Sequence, residues 1–120
     1  MGEQVIATPI KPIVPAVFVY VTDVKKSVEW YCKLLGLPIP EKTREDIHIF
    51  GLSDSFCSNI FLTKRAQVNP SSEPIFSLTA PDNETTFQFL SDLGVEIVHK
   101  NQDVIHFKDI DGNVLMACSI

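Results

Sequence analysis

Cysteine is scarce: Cys32, Cys57 and Cys118 are an odd number with no Cys-x-x-Cys pair. That excludes a disulfide framework and a thiolate metal cluster and leaves three buried thiols as the expected reading. Long apolar runs are absent too, none approaching the roughly 18 residues a spanning helix needs. The opening MGEQVIATPIKPIVP lacks a basic start, an unbroken apolar stretch and a cleavage site, so it does not read as a secretory signal. The expected location is the cytoplasm. Positive charge is short: 10 Lys and Arg stand against 15 Asp and Glu, net −5, with the charges scattered rather than blocked. No electrostatic footprint for nucleic acid or an anionic membrane follows. No Ser-His-Asp set, phosphate loop or dinucleotide fingerprint occurs among so few glycines.

What is present is a repeat. The stretch AVFVYVTDVKKSVEWYCKLLG, from Ala16 to Gly36, returns as IFSLTAPDNETTFQFLSDLG, from Ile75 to Gly94. Asp82 follows Asp23 by 59 positions and Leu93 follows Leu35 by 58, a near-constant offset that points to an internal duplication. In the first copy Val17, Val19 and Val21 alternate with Ala16, Phe18 and Tyr20, the two-residue period of a strand. Asp23 is placed to cap the helix that follows. Val24, Val28, Tyr31 and Leu35 then form one apolar stripe, with Lys25, Lys26, Glu29 and Lys33 outward, and Gly36 stops the helix. Asp82, the stripe Phe87, Leu90 and Leu93, and Gly94 repeat the scheme.

Pro9, Pro12 and Pro15 predict an extended arm before the first strand. Pro38 and Pro40 confine any pairing after the first helix to a short or edge piece. Strands are expected at 46–52 and 56–64, with a turn at 53–55 between them. RAQVNPSSEP, residues 65 to 74, reads as the linker between the copies. The second copy should give strands at 75–80, 95–100, 103–108 and 114–120, with a helix over 82–93 and a turn at Asp109-Ile110-Asp111-Gly112-Asn113. At 120 residues the chain supports one domain, with module one over about 13–64, a linker at 65–73 and module two over about 74–120. The order is strand, helix and about three strands, twice: an α+β domain of two βαβββ modules whose helices cover one face of largely antiparallel sheets.

On VTDVKKSVEWYCKLLGL and FKDIDGNVLMACS, the chain resembles the vicinal oxygen chelate superfamily, which includes glyoxalase I, bleomycin-resistance proteins and extradiol dioxygenases. The first stretch is similar to the family's strand, Asp and helix closed by Leu-Gly, the second to its "DPDGN" hairpin. The resemblance covers residues 13 to 120 and implies a homodimer with ligand clefts near or across the interface. It also implies four metal-ligand positions on the first and last strands of the modules. By spacing these fall on Ala16, seven before Asp23; on Ile75, seven before Asp82; on Met116, three after Asn113; and on Phe61. None of the four offers oxygen or nitrogen to a metal, so neither a metal nor another cofactor is expected.

The face that lines the cleft in the resembled fold would carry Ala16, Phe18, Phe61, Ile75 and Met116 as apolar wall and Tyr20, Thr63, Ser77 and Thr79 as polar handles. His48 and His106 alternate with apolar neighbours and are candidates for a rim or an acid/base role. Aligned on Asp46 and Asp103, His48 falls opposite Ile105, so the two are not symmetric ligands. His99, beside Lys100 in an expected turn, reads as a solvated surface group, and Cys118 shares the face of Met116. Three functions remain open. The first is binding of a small, partly apolar organic molecule in a metal-free cleft. The second is a metal-dependent lyase, isomerase or dioxygenase of the same fold. The third is a non-catalytic dimeric interaction protein.

Overall fold

The computed structural model describes residues 7–52 and 58–119. The expected turn at 53–55, Cys57 and the start of the strand expected at 56–64 lie outside them. Module one comprises β1 (Ala16–Val21), α1 (Val24–Leu35), β2 (Ile47–Gly51) and β3 (Asn59–Lys64). Module two comprises β4 (Ser77–Thr79), α2 (Asn83–Leu93), β5 (Ile97–Lys100), β6 (Val104–Lys108) and β7 (Val114–Cys118). The sheets are ordered β1-β3-β2 and β4-β7-β6-β5.

Both sheets are mixed. β1 runs parallel to β3 and β4 parallel to β7, while β2–β3, β5–β6 and β6–β7 are antiparallel. The parallel pairs follow from the crossover helices, which bring the chain back to the same end of the sheet. "Largely antiparallel" therefore understates the two crossovers. The segment 37–46 forms no strand, so among the described residues module one has two strands after its helix where about three were expected. Pro38 and Pro40 remove two ladder donors there, which accounts for the difference.

The junction aspartates act as read from sequence. Asp23 Oδ1 accepts from the Lys26 amide at 3.1 Å and Asp82 Oδ1 from that of Thr85 at 3.0 Å. Gly36 and Gly94 end their helices at φ 70 and 82, values an L side chain adopts only with strain. Val24, Val28 and Tyr31 are buried, as is Cys32, while Leu35 is half-buried. This stripe packs on the face of β3 and β2 that carries Ile60, Leu62 and Phe50. In module two Leu90 meets Ile105, Phe107, Leu115 and Ala117.

A polar cluster joins the modules. The buried Asp109 carboxylate, at the start of the β6–β7 turn, accepts from the Tyr31 hydroxyl of α1 at 2.7 Å. It also accepts from the amides of Asp111 and Asn113, both at 2.9 Å, and from Asn113 Nδ2 at 3.0 Å. Asn113 Nδ2 donates as well to the Tyr20 carbonyl of β1 at 3.0 Å, and the Thr22 hydroxyl donates to Asp111 at 2.7 Å. Burial pushes the Asp109 carboxyl above its usual range, against the pull of these donors. Burial first, and then the Asp109 charge, hold the Tyr31 phenol well above its ordinary value.

Tyr31→Phe should therefore lower stability by about 1–2 kcal/mol in urea denaturation at pH 7, because it leaves a buried carboxylate short of one donor. The folded state keeps the Tyr31 proton where the unfolded chain releases it. This contribution is complete below the unfolded value of 10.0 and is lost as pH rises past it. Above that pH the wild type should lose stability more steeply than the Phe variant; equal slopes would refute the assignment.

Candidate functional site

Strand alternation gives each sheet a helix-covered face and an open face. On the first sheet the open face carries Ala16, Phe18 and Tyr20 of β1, Phe61 and Thr63 of β3, and Ile49 of β2. The register aligns Phe18 with Phe61, Phe61 with Ile49, and Tyr20 with Thr63. The Phe18 and Phe61 rings are 5.1 Å apart and tilted by 56°. Phe18 remains 59% exposed, Ile49 51% and Tyr20 46%. Large apolar side chains standing side by side in solvent are the kind of surface that marks a binding site.

A cavity of about 440 Å3 opens beside this face, walled by Phe18, Tyr20, Ile75 and Asn113 and, from the linker, by Arg65, Gln67, Asn69 and Ser71. The Arg65 guanidinium lies 4.4 Å from the Tyr20 ring centroid, a cation–π contact that holds one positive charge at the cavity wall. Pro70 packs near Gly112, whose φ of +86 suits the turn; a Cβ there would sit 3.3 Å from Pro70 Cγ. The linker was legible as a loop, but nothing in its composition tells that it folds back over β1.

The remaining expected residues divide. Ile75 joins Phe18 and Tyr20 at the cavity. Ser77, Met116 and His106 lie in one row across the open face of the second sheet, as Ser77 pairs with Met116 and Met116 with His106. Thr79 ends β4 and borders a different, apolar cavity of about 480 Å3 between the end of α1 and α2. His48 does not belong to the cleft face. It pairs with Leu62, on the helix-covered side, its ring 4.6 Å from that of Phe50, and burial pushes its imidazole below the usual value. Its strand parity was visible in the sequence, but which parity faces the helix was not.

His99 is exposed, as expected of a surface group, but it lies in β5 rather than a turn, and its ring is 5.1 Å from that of His106 across the ladder. Cys32 is buried on the inner face of α1, where desolvation raises its thiol pKa.

With this geometry stands a family match: the model of the Glyoxalase/Bleomycin resistance protein/Dioxygenase superfamily matches residues 13–117. The chain belongs to that superfamily. No curated protein matches it in sequence. Among solved structures, a protein of Agrobacterium tumefaciens is similar with a TM-score of 0.73 at 16% identity, over 92% of this chain and 98% of the other. The fosfomycin resistance protein FosX of Listeria monocytogenes gives 0.71 at 12%, over 92% and 93%. The trypanothione-dependent glyoxalase I of Leishmania major gives 0.68 at 13%, over 90% and 86%. At such identities the likeness is one of fold.

The four metal-ligand positions that the resemblance implies fall by spacing on Ala16, Phe61, Ile75 and Met116, whose side chains are a methyl, a benzyl, a sec-butyl and a thioether. Phe61 and Met116 occupy matching places, since each pairs with a residue of the leading strand, Phe18 or Ser77, that are 59 positions apart. This donor set does not fit a hard or borderline divalent ion. Among the described residues no three His, Cys, Asp or Glu side chains converge. Among them, too, no helix is long and apolar enough to cross a membrane.

If the Pro70–Gly112 contact holds the linker wall in place, Gly112→Ala should cost about 1–2 kcal/mol, the strain of an L residue in left-handed backbone. Amide hydrogen exchange across 65–71 should quicken more than in α1. Unchanged exchange there would mean that the wall is held by other contacts.

Proposed function

We propose that this superfamily member binds a small, partly apolar organic molecule on the open face of its first sheet, without a divalent metal at the superfamily's usual position. The observation that carries this reading is the cavity of about 440 Å3 between Phe18, Tyr20 and the linker. It lies within the usual size range of ligand pockets and combines an apolar floor with a few convergent polar groups. Phe18 and Phe61 supply flat apolar surface. Gln67, Asn69 and Ser71 offer hydrogen bonds at the opposite wall, and Arg65 offers a cation to an anionic end of the ligand. The fold neighbours add the fold and no more, because function lives in the site.

A homodimer is the assembly we infer with it. Phe18 and Ile49 leave more than half of their surface in solvent, and a second copy covering this face would turn the open groove into an enclosed cleft. The enzymatic reading has less support. His48 is on the wrong face of its sheet, and neither it nor His106 joins a group of three His, Cys, Asp or Glu side chains among the described residues.

The test is amide chemical-shift mapping of a small-molecule fragment set in the presence of EDTA, with sedimentation to follow assembly. Hits should shift Phe18, Tyr20, Phe61 and residues 65–71. Phe18→Ala should weaken them about 10-fold, or about 1.4 kcal/mol. Hits that require an added divalent ion, or that map elsewhere, would overturn the proposal.

A further inference from the structure

β5 contains an irregularity that decides what the second sheet presents to solvent. Ile97 pairs with Phe107, yet His99 pairs with His106 and Lys100 with Ile105, so one extra residue lies between Ile97 and His99. Regular alternation from Ile97 would have set Val98 opposite His106 and turned His99 toward α2. The bulge at Val98 re-aims both residues that follow, as bulges do. Lys100 now faces α2, where its ammonium lies 3.1 Å from Glu84 and 5.2 Å from the Phe87 ring centroid. His99 turns to the open face, its ring 5.1 Å from that of His106.

His106 in turn pairs with Met116 on its other side. Two imidazoles and a thioether thus stand in one cross-strand row, on neighbouring strands whose facing Cβ atoms are about 4.5–5.5 Å apart. His99 is exposed, and His106 and Met116 are half-buried, so the row is open to solvent. Neither histidine has a carboxylate partner among the ion pairs of the described residues. Imidazole suits late transition metals, and thioether sulfur selects the softer copper(I) over zinc.

We propose that His99, His106 and Met116 form a copper(I)-binding site on the open face of the second sheet, built by the β5 bulge and separate from the small-molecule cavity on the first. The two imidazole nitrogens bind the ion from adjacent strands and the Met116 sulfur completes a three-coordinate shell. Of the four strand positions discussed above it uses only Met116, through sulfur rather than oxygen.

The experiment is anaerobic titration of the full chain with copper(I) against a colorimetric chelator, and in parallel with zinc(II). One equivalent of copper(I) should bind. His99→Gln and His106→Gln should each weaken it by more than the roughly 10- to 100-fold that loss of an outer-shell partner costs. Met116→Leu should weaken copper(I) more than zinc(II). His99 is exposed, so its Gln variant should unfold at the wild-type temperature and keep the loss of affinity from being a loss of fold. Copper(I) affinity that survives His99→Gln, or that falls instead with Cys57→Ser or Cys118→Ser, would overturn the site.

Discussion

The Asp109 carboxylate is the constraint on which the arrangement of the two modules depends. A buried charge of this kind is tolerated only when its lone pairs are met. Here the donors come from α1 of the first module and from the hairpin of the second. To satisfy Asp109, the β6–β7 turn must sit against Tyr31, and Asn113 must then reach the Tyr20 carbonyl at the end of β1. Tyr20 is the residue whose ring stacks under Arg65, and Gly112 of the same turn meets Pro70 of the linker. The hydrogen bonds that close the core therefore also fix the cavity wall. Hydrophobic burial drives the fold, but it is non-directional and would not by itself choose this docking of one module on the other.

Much of this was legible because it is local. The Asp caps, the glycine stops, the helix stripes and the Asp-Gly-Asn turn each depend on residues within a few positions of one another, and the offset between Asp23 and Asp82 exposed the duplication directly. The alignment of His48 with Ile105 followed from spacing alone. What the sequence withheld is non-local. Strand parity says that His48 and Ile49 point opposite ways without saying which way the helix lies. The linker 65–74 reads as polar loop whether it extends into solvent or folds back over Phe18. Pro38 and Pro40 signalled a weak strand, and the structure forms none there.

The bulge at Val98 is the clearest example of that limit. Its sequence, Ile-Val-His-Lys, alternates nothing, and reading its end as a turn placed His99 at the surface, where it is, but not in the row with His106. Only the partner strand decides how the extra residue is absorbed: Ile97 must bury against α2, and Lys100 gains Glu84 and the Phe87 ring on the same side. Two residues must then share the outward turn between them. Val98 and His99 are both outward because Ile97 and Lys100, on either side of the pair, are held inward.

Duplication lets the two halves diverge on one scaffold. Phe18, Phe61 and Ile49 form a row in the first sheet that matches Ser77, Met116 and His106 in the second. At each matched position the first module carries a carbon surface and the second a hydroxyl, a thioether or an imidazole. Among the described residues the first module has no counterpart of β5, so its row ends at Ile49 where the other continues to His99. Without a described strand beyond β2, Ile49 stays 51% exposed at the sheet edge. In module two the bulged β5 extends the polar row by one more donor. The same backbone register thus yields an apolar floor in one half and a line of donor atoms in the other; the side chains at the matched positions make that difference, and the prolines after α1 and the one extra residue in β5 decide only where each row ends.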